Sequence, residues 1–310
     1  MPEADASQQN ESPSTSDAAS GPSGSMQASL FATLFGKLES TPGLEELSNG
    51  IEGALAPLTS RRRLMDVLHG RWLGHALHPA LSDLPIGMWS GVPLLDIIGD
   101  ERGATALTAG GCLAAGATAL TGTADWSVTA GRERRLALLH GLANGTALMI
   151  QLAALTARLR GRRHTGQVLS LAGIGASLAS AFVGGELVFG RALMVDHTVW
   201  TQGPADWRPV LADAELADGA MRAVDVEGRQ VLLARLGGVV HAMENTCSHA
   251  GGPLAEGTLE DGCVVCPWHG SRFRLADGAV VGGPATFSQP RLLVRENDGH
   301  IEIRGRDESA

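Results

Sequence analysis

Two short segments set thiols and imidazoles at ligand spacing: Cys247-Ser-His249 and, sixteen residues later, Cys266-Pro-Trp-His269. Each offers one thiolate and one imidazole. Two metal chemistries use that set. A 2Fe–2S cluster takes four protein ligands, two per iron. Where neutral imidazoles replace two thiolates, its negative charge falls and its potential rises above that of an all-cysteine cluster. A tetrahedral zinc ion also accepts two Cys and two His. Zinc knuckles usually pair like ligands, as C-x₂-C and then H-x₃₋₅-H, whereas each segment here mixes them. That mixture favours the cluster and leaves zinc as the alternative. Cys112, inside an apolar stretch, reads as a packing residue. Cys263, in a short strand-like run, reads as a buried thiol without a role.

Ligand loops need a scaffold. From about residue 207 the pattern is strand-like, with runs at 231–235, 238–243, 263–266, 279–281, 291–295 and 300–304. Leu236-Gly237, Asp277-Gly278 and Asp298-Gly299 read as turns between them. The expectation is a small all-β antiparallel sandwich or barrel over 207–305, with a short tail at 306–310.

This segment resembles a Rieske ferredoxin domain. The match rests on Cys247-Ser-His-Ala-Gly-Gly-Pro-Leu254, on Cys266-Pro-Trp-His-Gly-Ser-Arg-Phe273 and on Gly282-Gly-Pro-Ala285, which is similar to the proline loop that covers the cluster. The resemblance implies that Cys247 and Cys266 bind the buried iron, and that His249 and His269 bind the outer one with their free ring nitrogens at the domain tip. Leu254, Trp268, Ser271 and Pro284 would surround the cluster. High-potential members carry a disulfide between the cluster loops and donate to sulfur from a Ser and a Tyr. Here Gly252 and Trp268 stand at the disulfide positions, Ser271 is present, and Phe273 replaces the Tyr. Fewer donors imply a potential in the lower part of roughly −150 to +300 mV, and the missing bridge suits a reducing compartment. The large iron domain of Rieske oxygenases has no counterpart, so the chain reads as a carrier or an oxidoreductase component.

The rest of the chain is of another kind. Residues 1–27 are polar and read as disordered. Two amphipathic patterns fill 28–60: Phe31, Leu34, Phe35 and Leu38, then Leu44, Leu47, Ile51 and Leu55. They either lie on a membrane surface or, the preferred reading, pack on the helices C-terminal to them. Within 61–190, four apolar runs at 81–98, 104–123, 136–157 and 168–189 predict a four-helix transmembrane bundle. The first run is weakened by Asp83, Pro85 and Asp96. The alternative is a soluble all-α bundle. A linker, 191–206, leads to the β-domain. Four spans put both ends on one side. There the flanks carry Arg61, Arg62, Arg63, Arg71, Arg132, Arg134, Arg135 and Arg191, against Arg102, Arg158, Arg160, Arg162 and Arg163 opposite. The bias places the termini and the Rieske domain in the cytoplasm. A net charge of −9 disfavours a nucleic-acid partner.

The bundle resembles a bacterial four-helix membrane family of unknown function, through His75-Ala-Leu-His78-Pro-Ala-Leu-Ser-Asp83-Leu-Pro-Ile-Gly87 and Gly184-Gly-Glu-Leu-Val-Phe-Gly190. On the face shared with the Rieske domain the topology collects His75, His78, Asp83, Asp125, His140, Glu186 and His197. Ionisable groups in membrane helices are costly and usually functional. The plain reading is interfacial or interhelical hydrogen bonding. The sharper ones are a haem b on two of His78, His140 and His197, or a quinone pocket. The expected function is one-electron transfer by a membrane-anchored 2Fe–2S protein between unidentified donor and acceptor proteins. The alternatives are a haem- or quinone-linked oxidoreductase and a membrane-tethered redox sensor.

Overall fold

The computed structural model describes residues 33–37 and 39–306. The segment expected to be disordered, 1–27, lies outside the described residues, as do Phe31, Leu38 and tail residues 307–310. Residues 1–42 and 43–310 form separate units; of the first, 33–37 are helical.

The second unit opens with α1 (Leu44–Thr59), started by the left-handed Gly43. Its apolar stripe, Leu44, Ile51 and Leu55, packs on Trp126 and Leu138. Arg134 donates to Glu52 at 2.8 Å and to the Ser48 carbonyl. This helix therefore packs on the bundle. A short α2 (Arg62–Leu68) and a 3₁₀ turn lead into four long helices: α3 (Leu77–Ile98), α4 (Glu101–Trp126), α5 (Gly131–Leu159) and α6 (Arg163–Gly185), the last running into a π turn at Glu186–Gly190. The two- to four-residue connections force antiparallel neighbours. Asp100 caps α4 by accepting from Gly103 N–H at 2.9 Å.

Among the described residues three helices are long and apolar enough to cross a membrane: Glu101–Trp126, Gly131–Leu159 and Arg163–Gly190. The expected first span lies within α3, whose Asp83 and Asp96 keep it outside that class. The burial pattern is consistent with a lipid-facing bundle. Its interior holds Thr108, Thr121, Gln151, Ser170 and Ser180, while Ile97, Ile98, Leu113 and Leu159 are 72–80% exposed. A soluble bundle would put these the other way round.

The hairpins α3–α4 and α5–α6 are two copies of one design, 62 residues apart. Trp89 Nε1 donates to the Thr108 carbonyl, and Gln151 Nε2 donates to the Ser170 carbonyl. A Cβ on Gly111 would strike the Trp89 ring, and one on Gly173 would strike the Gln151 amide. His78 meets the Thr118 carbonyl, and His140 the Ser180 carbonyl. Asp96 and Arg158, also equivalent, meet as a bidentate pair at 2.6 and 2.8 Å. Equivalent residues in mutual contact must flank the pseudo-two-fold axis, so Asp96–Arg158 marks one end of it.

The C-terminal domain is all-β. A six-stranded sheet runs β1-β10-β9-β4-β3-β2, from Arg208–Ala212, His300–Arg304, Arg291–Asn297, Val239–Glu244, Arg229–Leu236 and Met221–Val226. A four-stranded sheet runs β5-β6-β7-β8, from Thr258–Glu260, Cys263–Val265, Arg272–Arg274 and Val280–Gly282. Strand β3 is buried on both faces, which accounts for its unbroken apolar run. Leu232 and Ala234 enter a core with Met243, Leu254, Val264 and Phe273, while Val231 and Leu233 enter one with Val224, Ile301 and Ile303. The β3–β4 turn is Gly237-Gly238 rather than the expected Leu236-Gly237. Both its central residues have positive φ, which glycine adopts freely and leucine does not.

Candidate metal centre

Two loops leave the β-domain core and share one hydrogen-bond scheme. In the first, Cys247 N–H donates to the Gly252 carbonyl and Gly251 N–H to the Cys247 carbonyl. In the second, Cys266 N–H donates to the Ser271 carbonyl and Gly270 N–H to the Cys266 carbonyl. Gly251 and Gly270 both take positive φ, so each loop doubles back and leaves its thiol inside and its imidazole at the rim. Cys247 and Cys266 belong to the buried core that contains Leu254 and Phe273.

The four side chains converge as two pairs. The thiols share a hydrogen bond, and each sulfur also receives two backbone N–H groups: those of His249 and Ala250 for Cys247, and those of Trp268 and His269 for Cys266. These donors and its partner draw the Cys266 thiol down to about 6, while the Cys247 thiol is pushed up by its partner and by burial. The imidazoles stand 5.0 Å apart between centroids and 85° between planes. Burial, with the charges of His269, His69 and His197, lowers His249 to about 3; burial also lowers His269. Both rings are therefore neutral, as ligands must be. Nδ1 of each is buried without a hydrogen-bond partner, a costly state for a polar atom unless its lone pair is taken. Two thiols opposite two orphaned imidazole nitrogens fit a two-iron cluster. The four described cysteines are free.

A family profile described as Rieske [2Fe-2S] domain matches residues 206–295. Ferredoxin CarAc of Metapseudomonas resinovorans is 31% identical over 100 residues, 94% of its length and 32% of this chain. The anthranilate 1,2-dioxygenase ferredoxin subunit of Burkholderia cepacia is 32% identical over 99 residues, 92% of its length and 32% of this chain. The chain belongs to the Rieske family. Its Rieske domain binds a 2Fe–2S cluster and is homologous to electron-transferring ferredoxins of dioxygenase systems. Mouse apoptosis-inducing factor 3 is 36% identical over 90 residues, 29% of this chain, but the chain spans only 15% of that protein. A second profile, "Predicted membrane protein (DUF2231)", matches residues 74–203, N-terminal to the Rieske domain.

Around the Rieske thiols, Leu254, Ser271 and Pro284 are buried, whereas Trp268 is 56% exposed with its ring 6.3 Å from that of His269. An ideal Cβ on Gly252 would lie 3.0 Å from Trp268, so the two positions where relatives carry a disulfide do face each other. Ser271 Oγ accepts from Ala285 N–H at 3.2 Å, which leaves its own hydrogen free to donate. Gln289 carries no local signal in the sequence. It accepts from Ser248 N–H and donates to the Glu244 and Thr246 carbonyls, pinning the first loop.

The Rieske tip rests on the membrane domain. Gly283 N–H donates to Asp66 at 3.2 Å, and His197 N–H donates to the Ser248 carbonyl at 3.0 Å. A space of about 10 Å³, room for one water, is lined by His69, Ala76, Met194, His249, Pro284 and Phe287 among others. His249 is therefore covered by the bundle and only 8% exposed, while His269 is partly open.

The seven membrane-face candidates divide. His78 and His140 meet, with ring centroids 6.3 Å apart. Asp125 is buried and pairs at 2.9 Å with His69, which sequence reasoning missed. Glu186 pairs with Arg191 at 3.2 Å. His75, Asp83 and His197 are exposed and join none of these three pairs.

Proposed function

We propose that this protein is a membrane-embedded one-electron carrier in which Cys247 and Cys266 hold one iron of the cluster and His249 and His269 the other. The observation that carries the assignment is the pairing of two hydrogen-bonded thiols with two neutral imidazoles whose Nδ1 atoms are buried and unpartnered. The cluster supplies a one-electron couple. The chain's own residues do the rest. Four backbone N–H groups stabilise charge on the cysteine sulfurs. Leu254, Pro284 and Phe273 keep water away. His249 points into the bundle, and His269, beside Trp268, faces outward and is the contact for a soluble partner. By analogy with the dioxygenase ferredoxins, that partner is an oxygenase or a reductase.

Domain limits accord with this reading: 61–190 membrane bundle, 191–206 linker, 207–305 Rieske domain. All four long helices cross the bilayer. The apolar outer face of α3, with Leu94, Ile97 and Ile98, supports this, and its Asp96 is satisfied inside by Arg158. The arginine bias then puts the Rieske domain in the cytoplasm. Exposed Trp72, Phe189 and Trp200 lie near the helix ends on that side, where aromatic side chains anchor to the interface. Free cysteines and Phe273 support a potential in the lower part of the family range.

Chemical analysis and electron paramagnetic resonance of the detergent-purified full chain test this. Two irons, two sulfides and one unpaired spin per reduced chain are expected. One zinc per chain and no signal would overturn it.

A further inference from the structure

We propose that His78 and His140 are the axial ligands of a haem iron on the pseudo-two-fold axis of the membrane domain. This rests on the membrane-embedded reading above but not on the cluster. The two residues occupy equivalent positions in the duplicated hairpins, on α3 and α5, and they meet; they therefore flank the axis at the end opposite Asp96–Arg158. At each, the ring is held in the same way. His78 Nδ1 lies 3.0 Å from the Thr118 carbonyl and His140 Nδ1 lies 2.9 Å from the Ser180 carbonyl. A carbonyl acceptor fixes the proton on Nδ1 and leaves Nε2 as the lone pair, the usual second partner of a metal-binding imidazole. Each ring lies against a glycine on the next helix. A Cβ on Gly122 would come within 2.8 Å of the His78 ring, and one on Gly184 within 2.9 Å of the His140 ring. Both hairpins thus carry an imidazole, a carbonyl acceptor and a glycine at matching positions, while other matching positions hold Asp against Arg and Trp against Gln.

The spacing distinguishes the kind of metal. An iron about 2.0–2.1 Å from a ring nitrogen is roughly 3 Å from the ring centre, so opposed axial imidazoles have centroids about 6 Å apart and tetrahedral ones about 5 Å. The cluster pair, His249 and His269, stands at 5.0 Å. The membrane pair stands at 6.3 Å, with its rings 87° apart. Two imidazoles are also too few for a bare divalent ion. Among the described residues no third His, Cys, Asp or Glu side chain joins His78 and His140 at a metal position, and an uncompensated double charge in an apolar bundle is costly. A porphyrin supplies four further nitrogens and two negative charges. Asn144 donates to His140 Nε2 at 3.0 Å and would yield that lone pair on ligation.

The test is the full-length protein, made with haem precursor supplied, purified in detergent and read by pyridine haemochrome assay and absorption. The expected result is one haem per chain with a low-spin spectrum in the wild type. His78→Ala and His140→Ala each abolish the low-spin form. His164→Ala, at the other end of the bundle, leaves it intact. Gly122→Ala and Gly184→Ala, which crowd the rings without removing a ligand, reduce haem content severalfold. In every variant the cluster's paramagnetic signal reports whether the Rieske domain is intact, so loss of haem is separable from loss of the carrier assignment. A cluster-loaded wild type that binds no haem, even after incubation with haemin, would overturn the proposal. So would a haem that survives both histidine substitutions, or a bare metal ion bound in its place.

Discussion

The chain contains two histidine pairs, and they are built by opposite means. His249 and His269 come from unlike loops, one with a single residue between Cys and His and one with two. They are brought to 5.0 Å by a shared turn scheme on a rigid β scaffold. His78 and His140 come from like positions in copied helices and are brought to 6.3 Å by symmetry. The first pair is tuned by burial and by neighbouring imidazoles; the second is held by helix carbonyls and glycines. Precision at the β site lies within each loop. Precision in the bundle lies between helices far apart in the chain.

Substitutions sharpen this contrast. The largest effect is expected for Cys247→Ser or Cys266→Ser: complete loss of cluster absorbance, with helix content by circular dichroism unchanged. Next is Asp125→Ala, which strands the buried His69 ring. Leaving a buried ring nitrogen without its partner costs about 1–3 kcal/mol, seen as a lower thermal midpoint in detergent. The more exposed Glu186→Ala should cost less than about 1 kcal/mol. Equal shifts from the two would show that the His69–Asp125 pair is not a structural anchor. Gly283→Ala places a Cβ against Ser271 Cα at a φ of 85°. About 1–3 kcal/mol of strain should appear as faster cluster loss on warming. The smallest effect is Asp66→Ala. It removes one hydrogen bond between tip and bundle, about 1 kcal/mol, and should speed hydrogen exchange around Gly283 while the cluster content holds.

The same contrast explains what the sequence makes legible. The cluster loops, most strands and the last three apolar helices are local patterns, and each can be read within a few residues. The turn at Gly237-Gly238 lies one residue beyond its expected place, because the requirement for two positive φ angles outweighs the hydrophobic run through Leu236. Helical periodicity places Asp125 at a helix end but cannot supply His69 as its partner, 56 residues away. Three histidines, His69, His75 and His78, fall within ten residues, and nothing local tells that the first and last turn inward while His75 stays exposed. The duplication is hidden in the sequence because its matched positions share size or hydrogen-bonding role more than residue type. Thr118 answers to Ser180, but Trp89 answers to Gln151.

The copied hairpins differ where the Rieske tip lands. Asp125, which binds His69 beneath the tip, has Leu187 as its equivalent in the second copy. Two nearly interchangeable halves thus offer a single polar socket. That asymmetry confines the buried carboxylate–imidazole pair to the half of the bundle that faces His249.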